Sequence, residues 1–103
     1  MIKVNGVQVF PAELERVLLD CPDVEEAAVI GVVDEARGEV PRAFVVLAKE
    51  GLVEERLATI EEYTNGRLPP FKQLRGGIYS VEQLPKTASG KVAKEQLKGM
   101  GMG

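Results

Sequence analysis

The sequence predicts an α+β fold: a small mixed three-stranded sheet packed by helices, with an N-terminal two-stranded hairpin. Three observations predict it. Residues alternate around Asn5-Gly6, a strong hairpin signal because both central residues of a type I′ turn need positive φ. Two continuous apolar runs, Ala27 to Val33 and Ala43 to Leu47, fit strands covered on both faces. Apolar residues also recur at helical spacing, at Leu14, Val17 and Leu18 and again at Leu57 and Ile60.

Taken in order, the hairpin strands are expected over 2–4 and 7–9. Counting outward from the turn, Val4 faces Val7 and Lys3 faces Gln8, a polar cross-strand pair on one face. Pro11 stands where a first helical turn accepts proline. A helix follows over 11–19 and stops before Cys21-Pro22, since the residue before proline avoids the helical region. Val24 to Val33 and Arg42 to Ala48 are read as the centre of the sheet, joined by a polar loop from Asp34 to Pro41. A second helix over 53–65 is expected to close at Asn65-Gly66 with a left-handed cap. Pro69-Pro70 is a stiff break, and Arg75-Gly76-Gly77 reads as a flexible entry to a third strand, Ile78 to Val81. Val92 to Leu97 gives a short last helix.

Composition sets the limits. With 103 residues, 45% of them hydrophobic and 28% charged, the chain builds one small domain, expected over 1–98, with 99–103 as a flexible tail. A single cysteine, Cys21, forms no internal disulfide, and the lack of histidine excludes a Cys/His metal site and a histidine-dependent triad. No metal ligands are expected. Aromatic residues make up only 5% and net charge is −3, so nucleic acid is not an expected partner. No apolar run reaches membrane-spanning length, and neither a secretory signal nor a Ser-Lys-Leu type peroxisomal ending is present, so a cytoplasmic location is expected.

Charge is unevenly placed. Residues 1–65 hold fourteen acids against six Lys/Arg, whereas residues 66–103 hold seven Lys/Arg against Glu82 and Glu95. The basic third surrounds Pro85-Lys86-Thr87-Ala88-Ser89-Gly90-Lys91, where hydroxyls, a glycine and lysines share one loop. Such a loop suits an anion, since backbone N–H groups and hydroxyls donate while the ammonium supplies charge. Lys91 is the sharpest candidate: placed in the first turn of the last helix, it stands where the macrodipole disfavours cations unless an anion is bound. It is no Walker loop, because Pro85 and Val92 replace the required glycine and Ser/Thr. Glu13 and Glu15 read as solubilising surface acids, and no base is in view to activate Cys21.

In combination, Ile2-Lys3-x-x-Gly6-x-Gln8-Val9-x-Pro11-x-Glu13-Leu14-Glu15, then Leu74-Arg75-Gly76-Gly77, then Pro85-Lys86-Thr87-x-Ser89-Gly90-Lys91 resemble the C-terminal domain of the adenylate-forming superfamily. The closest branch is that of acyl-CoA synthetases, 4-coumarate–CoA ligases and firefly luciferase. The resemblance covers Ile2 to Leu97.

The resemblance implies a two-step reaction in which a carboxylic acid and ATP, with Mg2+, give an acyl-adenylate, and coenzyme A then displaces AMP to form a thioester. It implies that Lys91 is the adenylation lysine, beside Ser89 and Gly90 in the phosphate loop. It further implies that Lys3 and Gln8 face the adenylate in the second step, and that Asn5 and Gly6 border the coenzyme A channel. The partner would be an N-terminal ATP- and acid-binding domain of the same enzyme, which has no counterpart in this chain. A domain fragment inactive by itself is therefore expected. Two alternatives stand beside this: a non-catalytic interaction module of the same fold, and a domain of a luciferase-type oxidative enzyme. Phe10 and Lys94 depart from the family pattern, where alanine and arginine are usual, without removing a catalytic group.

Overall fold

The computed structural model describes residues 1–48 and 51–98. Ile2–Val4 (β1) and Val7–Val9 (β2) form the hairpin, Pro11–Leu19 (α1) follows, and Val24–Asp34 (β3) and Gly38–Leu47 (β4) form a long antiparallel ladder. Val53–Asn65 (α2), a single 3-10 turn at Pro70–Lys72, Ile78–Ser80 (β5) and Lys94–Leu97 (α3) complete the described elements. The hairpin and the first two helices stand at their predicted bounds. The expected tail, 99–103, lies outside the described residues.

The sheet is mixed, β5 running parallel to β4 and the other pairs antiparallel. Its hub is β4. On one edge β4 carries β3; on the other it carries β5 along Ala43 to Val45 and β1 where Val4 stands opposite Gly38. The hairpin therefore extends the three-stranded sheet to five strands. The Asn5 N–H tightens that junction by donating to the Arg37 carbonyl at 2.8 Å.

Four expectations need correction. First, β3 is covered on both faces as expected, but it is an edge strand, not a central one. Second, β4 starts at Gly38, so the loop shrinks to Glu35–Arg37 and Pro41 lies inside the ladder. Proline is tolerated there because the N–H and C=O of one strand residue share a direction. The Pro41 carbonyl accepts the Gly76 N–H at 2.8 Å on the side away from β3, so the missing donor falls outside the β3 ladder.

Third, Gly66 has φ −65°, an ordinary right-handed value. The chain winds on through Arg67 N–H to Thr64 O and Leu68 N–H to Asn65 O, which delivers Leu68 to the core; a left-handed reversal would have turned it aside. Fourth, α3 begins only at Lys94, two residues later than predicted.

Two cores flank the β3–β4 ladder. Leu14 and Leu18 of α1, Ile60 of α2, Leu68 and Leu74 pack on one face against Val29, Ala43, Val45 and the hairpin residues Ile2, Val4 and Val9. Leu84 and Leu97 cover the other face, on Ala28, Ile30, Phe44 and Val46. The C-terminal segment carrying the basic loop is thus a second layer laid across the sheet.

Candidate functional site

The hairpin turn has the conformation its sequence demands. Asn5 has φ 52° and Gly6 φ 81°, both in the left-handed region of a type I′ turn. Lys3 pairs with Gln8 in the expected register, and with Ile2, Val4 and Val9 buried on the opposite face, both project to the exterior. The Lys3 N–H donates to Glu39 Oε1 at 3.0 Å, fixing the strand under the side chain. A Cβ on Gly6 would meet nothing within 4 Å, so glycine is required there by φ, and the turn stands open.

The basic loop is a second tight turn. Lys86 and Val92 form an antiparallel bridge, the Thr87 N–H donates to Lys91 O at 2.7 Å, and the Gly90 N–H donates to Thr87 O at 3.0 Å. Gly90 closes the turn at φ 87°. The Thr87 and Ser89 hydroxyls lie 3.0 Å apart and share a hydrogen bond. Lys91 is therefore the last residue of a hairpin-like turn and not part of a helix, which removes the macrodipole argument for it. Its exposure and its neighbours remain. With the Thr87 and Gly90 N–H groups directed to loop carbonyls, the donors an anion could use are the hydroxyls and the Ala88 and Ser89 N–H groups, which have no acceptor among the described residues.

Charge pairing separates the lysines. Lys72 lies 2.6 Å from Glu13, Lys86 2.9 Å from Glu26, Lys94 3.0 Å from Glu15 and Lys98 3.4 Å from Glu95. Among the described residues no ion pair engages Lys91 or Lys3. These two cations of the candidate site face solvent unneutralised.

The two turns are not brought together. Lys86 anchors the basic loop at Glu26, near the start of β3, while the hairpin joins β4 at Gly38, opposite Asp34 at the far end of β3. Glu26 to Asp34 is roughly 26 Å at a strand's rise of about 3.3 Å per residue. Lys3 with Gln8, Asn5 and Gly6 make one cluster, and Ser89, Gly90 and Lys91 another. Among the described residues no cluster of three His, Cys, Asp or Glu side chains could hold a metal ion.

Several supporting residues escaped the sequence reading. Glu15 is no mere surface acid: its Oε2 accepts the Val29 N–H at 2.8 Å as well as facing Lys94. Asn65 Oδ1 accepts the Leu74 N–H at 3.0 Å, tying the end of α2 to the approach to β5. Gly76 is not a flexible entry but a tight crossing, where a Cβ would sit 2.8 Å from Pro41 O and 2.9 Å from Val32 Cγ2. Arg42 Nε donates to Gly76 O at 2.8 Å, and its guanidinium lies 5.2 Å from the Tyr79 ring centroid. Only the Gly76-Gly77 pair had a visible sequence signal; the others depend on residues distant in the chain. Cys21 is buried in the turn after α1.

Comparison with known proteins gives consistent matches. The family model described as AMP-binding enzyme C-terminal domain matches residues 13–91, which include the basic loop. The chain is 48% identical over 104 residues to the acyl-CoA ligase easD of Emericella nidulans, covering 97% of this chain and 18% of that protein. It is 45% identical over 100 residues to the acyl-CoA ligase lcsD of Purpureocillium lilacinum, covering 95% and 26%. Among solved structures, the o-succinylbenzoate CoA synthetase of Bacillus subtilis in complex with the acyl-adenylate intermediate OSB-AMP superposes with a TM-score of 0.80 at 37% identity, covering 94% of this chain and 19% of that one. The chain thus spans about a fifth to a quarter of the length of these relatives.

Proposed function

The chain belongs to the AMP-binding enzyme C-terminal domain family, and from that premise we propose that residues 1–98 are the C-terminal domain of an ATP-dependent acid–CoA ligase, working with a separate ATP- and acid-binding domain of the same enzyme. The reaction has two steps. A carboxylate oxygen attacks the α-phosphate of ATP and pyrophosphate leaves; the thiol of coenzyme A then attacks the acyl carbon, loses its proton and expels AMP.

The single observation that carries this reading is the pairing pattern: Lys91 and Lys3, at opposite ends of one rigid ladder, face solvent without an acid partner while four other lysines have one. Lys91, on its glycine-closed turn, is placed to bring positive charge to the α-phosphate as negative charge develops there. Lys3 and Gln8 are placed to meet the adenylate in the second step, with Asn5 and Gly6 beside the coenzyme A thiol. Two clusters anchored at Glu26 and opposite Asp34, positions roughly 26 Å apart along β3, cannot act on one centre together. They act in turn, the domain rotating between the steps. The Mg2+ that accompanies ATP is held outside this domain. The names of the relatives support the ligase reading over a non-catalytic module or an oxidative enzyme.

Half-reactions of the full-length enzyme test the assignment. Lys91→Ala is expected to suppress acid-dependent ATP–pyrophosphate exchange by a hundredfold or more, on the order of one lost electrostatic contact in a closed site, while thioester formation from supplied acyl-adenylate survives. Lys3→Ala is expected to give the opposite split. Unchanged exchange in Lys91→Ala would refute its role.

A further inference from the structure

The outer edge of β3 offers something the ligase reading does not use. In an antiparallel ladder, opposed residues either aim N–H and C=O at each other or both aim them away. The Ala43 N–H donates to Gly77 O at 3.0 Å and Pro41 O accepts from Gly76 at 2.8 Å, both on the β5 side. Their partners Val29 and Gly31 therefore aim outward, and by alternation so does Val33.

Along this edge the outward N–H groups are treated differently. At Val29, Glu15 Oε2 accepts at 2.8 Å, with the Lys94 ammonium 3.0 Å from the same oxygen. At Gly31 and Val33 no hydrogen bond meets the outward N–H among the described residues, and Val33 is 88% exposed. An uncovered edge of this kind is a template for strand addition, with main-chain bonds giving affinity and side chains giving selectivity.

The two faces of the edge differ in chemistry. On one, Val32, Arg42 and Lys98, the last 3.4 Å from Glu95, line an open groove that Gly31 and Val33 complete. Arg42 is held there by Gly76 and Tyr79, which fixes its charge in place. On the other, the Val33 side chain stands exposed and Glu39 Oε2 lies against Gly31. We propose that the Gly31–Val33 edge accepts an extended acidic segment of a partner polypeptide as an added strand. Its carboxylates lie on the Arg42 and Lys98 side, and its apolar residues lie over Val33. Glu15 already shows the chemistry within the chain: a carboxylate accepting an outward β3 N–H beside a lysine. The proposal stands independently of the ligase role.

A synthetic peptide of alternating valine and glutamate, titrated into the 103-residue chain with backbone amides followed by NMR, tests it. The Gly31 and Val33 amides should shift and exchange more slowly, with affinity falling as salt rises. Val33→Pro removes the outward donor together with the exposed valine side chain but no ladder bond, because Val33 gives no N–H to β4. It should weaken binding at least about tenfold, as expected for one main-chain hydrogen bond with its unmet acceptor and a lost apolar contact, while exchange protection elsewhere in the β3–β4 ladder stays unchanged. Lys98→Glu should also weaken binding, and a valine–lysine peptide should not bind. Shifts confined to the hairpin or the basic loop would overturn the proposal. Undiminished binding by Val33→Pro would do the same, as would binding seen only after residues 99–103 are removed.

Discussion

One oxygen of Glu15 lies 3.0 Å from the Lys94 ammonium while accepting the Val29 N–H, so a single carboxylate joins α1, the edge of β3 and α3. The hydrogen bond contributes more than the ion pair, because Lys94 is 40% exposed and water screens the charges. Glu15→Ala should cost about 1–3 kcal/mol, the penalty for a partly buried N–H left unmet. Glu15→Gln, which keeps an acceptor, should cost less than half as much. Urea midpoints check this, and equal losses for the two variants would put the weight on the charge instead.

Thr64 is fully buried in α2, and its hydroxyl has no hydrogen-bond partner among the described residues. Thr64→Val, close in shape and equally β-branched, should raise stability by about 1 kcal/mol, because an unmet buried hydroxyl is removed. Thermal unfolding would show a higher Tm; a lower one would mean the hydroxyl is satisfied in solution.

The glycines should sort by cause. Gly76→Ala would place a methyl 2.8 Å from Pro41 O, on backbone that cannot swing aside, and should cost more than about 3 kcal/mol or prevent folding. Gly90→Ala meets nothing within 4 Å and suffers only from its φ of 87°, so about 1–2 kcal/mol is expected. Denaturant titration of both variants checks the order.

Lys91→Ala and Lys3→Ala should leave stability within about 0.5 kcal/mol of the parent chain, since both side chains are exposed and neither has an ion-pair partner among the described residues. A larger loss in either would mean that any activity defect in the same variant reflects folding.

What could be read in the sequence was whatever local chemistry decides. Asn5-Gly6 specified its own turn and hence the Lys3–Gln8 pairing. Pro11 and the helical spacing of Leu14 and Leu18 placed α1. The errors came where a distant partner decides. Gly66 stays right-handed because Leu68 has a core to reach, and Pro41 enters a strand because its nitrogen points away from β3. Glu15 looked like a surface acid because Val29 and Lys94 are remote in sequence. For the candidate site, the residues of both turns were legible, but the setting of Lys91 was not. Its bridge from Lys86 to Val92 replaced the helical start expected over Val92 to Leu97.

The layer that carries Lys91 is fastened to the sheet chiefly by two buried leucines, Leu84 and Leu97, whereas the opposite face is sealed by two helices. Segments anchored by few apolar contacts open at lower free energy than the body they rest on. The C-terminal layer should thus behave as a separate cooperative unit, able to lift and reseat while the β3–β4 ladder remains intact. In hydrogen exchange its amides would lose protection first and together. Its folding would come last, since β5 must first find β4 across more than thirty intervening residues, a long closure for a parallel pair.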